Sequence, residues 1–459
     1  MLQDDNLAKG GGSSMRVVII GGDAAGMSAA SQIKRLRPEY DVIVFERGEY
    51  ISYAACGIPY FIGGAVSSMD ELLEVSLDEA REKRKVDVRI GHTVVAIDPS
   101  SRTITVENRG IRLTEPYDRL VIATGARPQT RGIDISRFPN LFTMNDLYDA
   151  ARIKNFIAEK KPQSIAVIGG GYIGLEAVES FCEQGVRTTL IHRREDLHRA
   201  FEKEISDIIK QKLSEKGVIL SLGQPFSGLE QRGDKIGIIR DIGVLETDAV
   251  LLAIGVEPNS DLAGAAGIQL GANRAIRVNE FMETDTEGIY AAGDCATARM
   301  TTFGIEVHAP LALKANKQGV IAGMNIAGER ESFAGVLGTA ITKIFDLGVA
   351  RTGLSYSQAA DMELDPEKVI VKSRDRARYY PGASFMNSLV IFSRKDRRLL
   401  GAQLAGRLES VKRIDVYATA IFNKMTIDQV FDLDLAYAPP FSPVYDPVLL
   451  AARVARKKR

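Results

Sequence analysis

Two stretches of this chain repeat one plan, and that plan leaves little freedom of fold. The run Ser164-Ile165-Ala166-Val167-Ile168 leads into Gly169-Gly170-Gly171-Tyr172-Ile173-Gly174 and then into a helical pattern over 175–184. A buried strand, a G-x-G-x-x-G turn and a helix bind dinucleotides: the glycines let backbone approach a pyrophosphate, which rests on the amides of the helix start. A second copy opens the chain, with Arg16-Val17-Val18-Ile19-Ile20, then Gly21-Gly22-Asp23-Ala24-Ala25-Gly26, then a helical pattern through Arg37. This copy is imperfect, because Asp23 holds the middle glycine position, where negative charge faces a pyrophosphate. Its next strand, 42–45, ends at Glu46, 20 residues beyond Gly26, where an acid hydrogen-bonds the hydroxyls of an adenosine ribose. One fold used twice implies two dinucleotides, such as a flavin and a nicotinamide, and so a hydride relay.

The copies differ where coenzymes are told apart. The position matching Glu46 is His192, followed by Arg193 and Arg194. The acid that favours an unphosphorylated ribose is missing, and cations able to hold a 2′-phosphate are present, which points to NADPH or to tolerance of both coenzymes. The alternative is that these arginines are solvated at a strand end.

Length and composition fit small-molecule chemistry. At 459 residues the chain has room for about three domains of roughly 150 residues each. Its 59 Lys and Arg balance 59 Asp and Glu, so no overall field draws it to nucleic acid or an anionic membrane. No stretch reaches the roughly 18 apolar residues of a membrane span. Cys56, Cys182 and Cys295 lie far apart without a Cys-x-x-Cys pair, which excludes a disulfide scaffold and a Cys-rich zinc site; no metal is expected, and a reducing cytoplasm is. Residues 1–14 read as a tag or disordered arm, and the basic end from Arg453 as a solvated helix terminus.

Elsewhere the pattern predicts a charged helix over 72–84, short strands at 86–90, 94–97, 103–106 and 120–125, and a helix over 147–160. Strands over 188–191, 249–255 and 284–294 follow, and a helix near Pro310. Beyond about Gly335, strands at 339–345, 369–373 and 388–393 alternate with helices at 355–362 and 412–423, which suggests a separate α+β domain. The fold class is therefore α/β, with two Rossmann-like units and a C-terminal α+β domain. The segment 435–443, rich in proline, reads as a fixed loop.

Cys56, in Ser52-Tyr53-Ala54-Ala55-Cys56-Gly57-Ile58-Pro59-Tyr60, sits among small residues where a thiolate could face a flat cofactor. Alone, such a cysteine also reads as structural.

The two units, the Ala123-Thr124-Gly125 strand end, the acid of Gly293-Asp294, the single Cys56 and the ending Tyr437-Ala438-Pro439-Pro440 together resemble the flavoprotein disulfide reductases. The likeness is to their single-cysteine branch of coenzyme A disulfide reductases, persulfide reductases and NADH oxidases or peroxidases. The resemblance implies an FAD-binding domain at 15–127 and 260–334, an NAD(P)H-binding domain at 128–259, and a C-terminal domain at 335–459 that builds a homodimer. It places FAD at Gly21, Gly22, Gly26, Glu46, Arg47, Thr124, Gly125, Gly293 and Asp294. NADPH or NADH would meet Gly169, Gly171, Tyr172, Gly174, His192, Arg193, Arg194 and Gly255. Tyr172 resembles the ring that covers the flavin until the coenzyme displaces it, or else packs ordinarily at a helix start.

The branch with two cysteines is excluded, since Cys56 has no cysteine neighbour and no histidine follows His308. Oxidases and peroxidases carry a histidine in the first glycine loop, where this chain has Ala24. The coenzyme A branch is favoured by Ser28, Gln32 and Arg35, which share one face of the first helix and match the coenzyme A channel, or else form a polar solvent face. Ser52 matches a further contact. Tyr379 or Tyr380, with Tyr437, resembles paired tyrosines that reach over the sulfur from the partner chain and donate to a departing thiolate. Two departures count against coenzyme A disulfide itself: Ala55 stands where Asn is usual, and Tyr445 where some members have lysine.

The expected function is an NAD(P)H oxidoreductase using FAD and Cys56, held as a thiolate by a lowered pKa, to reduce coenzyme A disulfide, a persulfide or a related disulfide. The alternatives are an oxidase or peroxidase that reduces oxygen or peroxide, and a flavin redox sensor or binding protein.

Overall fold

The computed structural model describes residues 14–458, so the tag or arm expected over 1–14 lies, apart from Ser14, outside the described residues. Strand β1 (Arg16–Ile20) is parallel to β2 (Asp41–Phe45) on one side and to Arg119–Ile122 on the other. Asp87–Arg89 and the returning strand Ile289–Ala291 complete this five-stranded sheet. The second sheet repeats the arrangement, with Ser164–Ile168 between Arg187–Ile191 and Ala249–Leu252. Val17, Val18, Ile19, Ala166 and Val167 are fully buried, as parallel strands covered on both faces must be.

Each sheet carries a three-stranded antiparallel appendage: Thr93–Asp98, Thr103–Asn108 and Ile111–Pro116 on the first, and Phe226–Arg232, Lys235–Arg240 and Gly243–Thr247 on the second. The strands Ala126–Pro128 and Val256–Pro258 pair where the chain passes between the two units. A third, five-stranded sheet follows, in the order Ala340–Ile344, Leu347–Gly353, Leu399–Gly406, Phe385–Ser393, Pro366–Arg374. Its helices are Tyr356–Asp361, Ile414–Phe422, Ile427–Phe431 and Pro447–Arg456, the last with Arg453 and Arg456 in its final turn.

Four helices frame the site: α1 (Ala24–Leu36), α2 (Ile58–Gly63), α3 (Leu147–Lys160) and α4 (Tyr172–Glu183). Asp146 caps α3 by accepting the Asp149 N–H, and Lys161 ends it in the left-handed region. The first glycine of each turn has a positive φ, +106° at Gly21 and +120° at Gly169, a conformation that costs glycine little.

The helix expected over 72–84 forms only in its second half. Residues 69–72 make a single tight turn, Leu73 bridges Tyr53, and only 77–83 are helical, with a wide π turn over Glu79–Lys83. The cause is the Cys56 loop, which claims this backbone: Ala54 N–H donates to Leu72 O (2.7 Å), and Glu74 N–H to Ser52 O (2.8 Å). The strand expected over 284–294 shrinks to Ile289–Ala291. No described helix is long and apolar enough to cross a membrane.

Candidate active site

One cleft of about 2390 Å³ joins the two glycine turns to Cys56. A single drug-sized site takes roughly 300–1,000 Å³, so this volume has room for two dinucleotides. Its walls include Gly21, Gly22, Glu46, Arg47, Thr124, Gly125, Gly293 and Asp294 from the first unit, and Gly169, Gly171, Tyr172, His192, Arg193, Arg194 and Gly255 from the second. Gly26 and Gly174 lie beneath the turns. A Cβ on Gly26 would stand 1.9 Å from Gly21 O, and one on Gly174 would stand 1.9 Å from Gly169 O, so each helix meets its turn at the same close approach.

The first turn suits a flavin dinucleotide. Glu46 is fixed by two amides, Gly22 N–H donating to Oε2 (2.8 Å) and Gly48 N–H to Oε1 (2.7 Å). Asp294 Oδ1 is buried and has no hydrogen-bond partner among the described residues. Leaving a buried carboxylate oxygen unpaired is costly, and the hydroxyls of a bound polyol would satisfy it. Burial raises the Asp294 pKa, opposed by Lys314 and His308. Lys314, itself buried, donates to Gly293 O (2.9 Å) and Ala296 O (3.0 Å) and so holds the turn that aims Asp294.

Asp23 is turned to local use. Its Oδ1 accepts the Tyr53 N–H (3.1 Å), tying the first glycine turn to the loop that carries Cys56. Burial, with Glu46 and Asp294 nearby, pushes its pKa to about 6 against two backbone hydrogen bonds that lower it. A bound phosphate raises it further, which softens the expected clash.

Cys56 occupies the short turn Ala55–Gly57 that leads into α2, and its side chain is exposed toward the cleft. Ser52 precedes it with φ +44°, a left-handed conformation that a serine adopts at some cost. The second unit clamps α2 from behind: Ser180 Oγ donates to Pro59 O (2.7 Å), Lys154 Nζ to Phe61 O (2.6 Å) and Gln184 Nε2 to Gly63 O (2.9 Å).

The lowered thiol pKa expected for Cys56 is not produced by the protein's own groups. Although the thiol is open to the cleft, the protein packed around it pushes its pKa up, and the carboxylates of Glu176, Asp294 and Asp23 add to this. The single backbone hydrogen bond is the smallest influence, and α2 has only 6 residues to supply a dipole. The protein's own groups therefore disfavour the Cys56 thiolate.

Glu176 was not apparent from sequence motifs. It lies one helical turn beyond Tyr172 on α4, lines the cleft and accepts a hydrogen bond from Thr342 Oγ1 (2.8 Å). Burial raises its pKa. Its i, i+4 spacing from Tyr172 was the available signal. The Tyr172 ring lies 3.9 Å from that of His198, between centroids, and its hydroxyl is buried without a partner among the described residues. Burial pushes the phenol up to about 12 and His198 down to about 4.

The residues assigned to coenzyme A divide. Ser52 lines the cleft, but Ser28, Gln32 and Arg35 do not. Ser28 Oγ donates to Oδ1 of Asn316, which does line it (2.8 Å). Gln32 is buried at the seam with the helix Ala312–Ile326 and accepts from the exposed Arg35 (3.0 Å).

Tyr379, Tyr380 and Tyr437 lie outside this chain's cleft and are exposed, Tyr379 by 76%. The neighbouring Tyr379 raises the Tyr437 pKa, so the two phenols stand near one another. Their loops share one anchor, Arg413, which donates to Asp375 O (3.1 Å), Phe441 O (2.6 Å) and Asp446 Oδ2 (2.8 Å).

Comparisons with known proteins agree with this geometry. The family profile described as pyridine nucleotide-disulphide oxidoreductase matches residues 15–319, and that of its dimerisation domain matches 339–447. The NAD(P)H coenzyme A polysulfide/persulfide reductase of Pyrococcus horikoshii is 40% identical over 442 residues, covering 96% of this chain and 98% of the relative. An NADH oxidase of Methanocaldococcus jannaschii is 33% identical, covering 97% and 99%. The solved NAD-dependent persulfide reductase of A. fulgidus is 38% identical with a TM-score of 0.94, covering 97% of this chain and 84% of the other.

Proposed function

Because the chain belongs to the pyridine nucleotide-disulphide oxidoreductase family, we propose that it moves electrons from NAD(P)H, held at Gly169–Gly174, to Cys56, which reduces coenzyme A disulfide, a persulfide or a related small disulfide. The observation that carries this reading is the single cleft onto which both glycine turns and an exposed cysteine open. FAD, when bound at the first turn, supplies the two-electron relay between nicotinamide and sulfur.

The chain's own residues do the rest. Glu46 and Asp294 present carboxylate oxygens to the ribose and polyol hydroxyls, and Asp23 keeps the Cys56 loop against the first turn. Once ionised, the Cys56 sulfur attacks one sulfur of a disulfide RSSR, forming Cys56–S–SR and expelling RS⁻, which takes up a proton. The paired phenols of Tyr379 and Tyr437 are exposed and remote from their own cleft, which supports their serving a second copy of this chain, where a phenol proton stabilises the departing thiolate. The dimerisation domain at 339–447 supports that assembly. Ser52 supports coenzyme A as the thiol, with Ser28 and Asn316 at the cleft edge.

The test is Cys56→Ser, assayed with NADPH and either coenzyme A disulfide or a persulfide. Disulfide turnover is expected to vanish, and retained turnover refutes the mechanism. The relative named an NADH oxidase motivates a second reading: loss of disulfide turnover, with oxygen consumption per NADH intact and rapid, favours an oxidase. A coenzyme A adduct on Cys56 in the mass spectrum of unreduced protein would identify both nucleophile and thiol.

A further inference from the structure

The C-terminal sheet reaches into the second unit through one buried amide. Gln403 lies on the inner strand Leu399–Gly406 and is 1% exposed. Its neighbours on that face, Val349, Leu389 and Ala405, are apolar and share a buried cluster with Leu197 and Phe201 of the second unit. An apolar side chain would pack here without the cost of burying an amide, so the amide is explained by its hydrogen bonds. Gln403 Nε2 donates to Ala200 O (3.1 Å), and Oε1 accepts the Glu202 N–H (2.8 Å). One side chain thus takes both backbone groups that flank Phe201, as a neighbouring strand would.

The segment held in this way is a wall of the cleft, which His198, Arg199 and Ala200 all line. The His198 N–H donates to Gly170 O (2.9 Å), and the Phe201 N–H returns to His198 O (2.9 Å), so residues 198–201 make a tight turn seated on the second glycine turn. The His198 ring lies 3.9 Å from that of Tyr172, between centroids, and the Phe201 ring meets Tyr172 edge-on at 6.1 Å. His198 takes this position with φ +46°, a left-handed conformation that persists only where its surroundings hold it. Glu202 adds to the grip: Oε1 accepts the Tyr356 N–H (2.8 Å) and Oε2 accepts from Lys368 Nζ (3.0 Å), both of the C-terminal domain. Arg351, directly across from Gln403 in the sheet, joins burial in lowering the His198 pKa to about 4.

We infer that Gln403 is a positioning residue for the nicotinamide coenzyme: from the C-terminal sheet it holds residues 198–202 against the second glycine turn, so the coenzyme meets a wall already in place. The cost of ordering that wall then falls on folding and not on binding. The inference rests on the reading that the second unit takes the nicotinamide coenzyme, but not on the chemistry of Cys56 or the identity of the electron acceptor.

Gln403→Met keeps the length of the side chain and removes both hydrogen bonds. Calorimetric titration of the FAD-loaded, oxidised protein with NAD⁺ and with NADP⁺ should show about tenfold weaker binding of whichever coenzyme the wild type takes, within the ceiling set by two hydrogen bonds of roughly fivefold each. In steady state the KM for NAD(P)H should rise while kcat, the KM for the disulfide and the flavin content stay as in the wild type, a split that general loosening of the fold would not give. Hydrogen exchange of the wild type needs no substitution and decides the matter if Gln403→Met loses flavin or fails to fold: without coenzyme, the Glu202 amide should exchange as slowly as those of the strand Leu399–Gly406. Unchanged affinity in Gln403→Met, or a Glu202 amide that exchanges as fast as an open loop until coenzyme is added, overturns the inference alone. Failure of both coenzymes to bind the wild type overturns the coenzyme reading of the second unit together with the inference.

Discussion

Replacing Asp23 by Asn should stabilise the protein, and by an amount that depends on pH. The Oδ1 that accepts the Tyr53 N–H is retained in Asn, so the variant changes charge and leaves that contact in place. With a folded pKa of about 6 against an ordinary value of 3.8, the folded state holds its proton after the unfolded chain has released it. Below pH 3.8 both states are protonated and the carboxylate costs nothing. Between 3.8 and about 6 stability falls as pH rises, and above 6 the full cost of a buried anion is present. Linkage puts that cost at about 0.6 kcal/mol at pH 4, about 1.6 kcal/mol at pH 5 and about 3 kcal/mol at pH 8. These are ceilings for the gain in Asp23→Asn, since the Asn amide must also be desolvated.

The assay is urea unfolding of wild type and variant at pH 5 and pH 8, followed by far-ultraviolet circular dichroism. The variant's advantage should grow with pH. The thiol offers a second readout: Asp23 is one of the carboxylates that raise the Cys56 pKa, so alkylation of Cys56 should shift to lower pH in the variant. An equal difference in stability at both pH values, or a wild type more stable than the variant at pH 8, refutes the argument.

Arg413→Ala removes four hydrogen bonds and leaves the carboxylate of Asp446, 10% exposed, without its cation. A loss of about 3 kcal/mol is expected, at the low end for a broken buried pair, and is measurable as lowered thermal stability. Disulfide turnover should fall as well, because both tyrosine loops lose their common anchor. Gly174→Ala places a Cβ 1.9 Å from a backbone oxygen that cannot move aside, so α4 must shift. Binding of NAD(P)H should be lost in calorimetry while flavin absorbance is retained.

The duplicated units were legible because their signals are local. The helical pattern over 147–160 and the glycine turns mark the bounds of α3, Ser164–Ile168 and α4 to within a few residues. The C-terminal sheet was less legible, and two of its three inner strands, Leu347–Gly353 and Leu399–Gly406, were missed. Both are rich in glycine, which reads as a strand breaker, yet each glycine answers a close approach. A Cβ on Gly401 would stand 2.0 Å from Leu354 O, and one on Gly348 would stand 2.6 Å from a Val411 methyl. Those contacts exist only once the sheet has assembled. The first half of the helix expected over 72–84 failed for a related reason, since its backbone groups serve the Cys56 loop. In the site, the glycines, Cys56 and the acids could be named from motifs, whereas Glu176, Lys314 and Arg413 act through partners distant in sequence.

The clamp behind α2 bears on how such a protein can be altered. Three carbonyls of α2, the helix that follows the Cys56 turn, are gripped by side chains of Lys154, Ser180 and Gln184, all from the second unit. The two units are therefore not interchangeable parts. Grafting a foreign nicotinamide unit to change coenzyme preference would also release the sulfur from its seat, unless those three donors travelled with the graft. Point substitutions elsewhere on the second unit, as at His192, leave these three hydrogen bonds in place and the Cys56 turn in its seat.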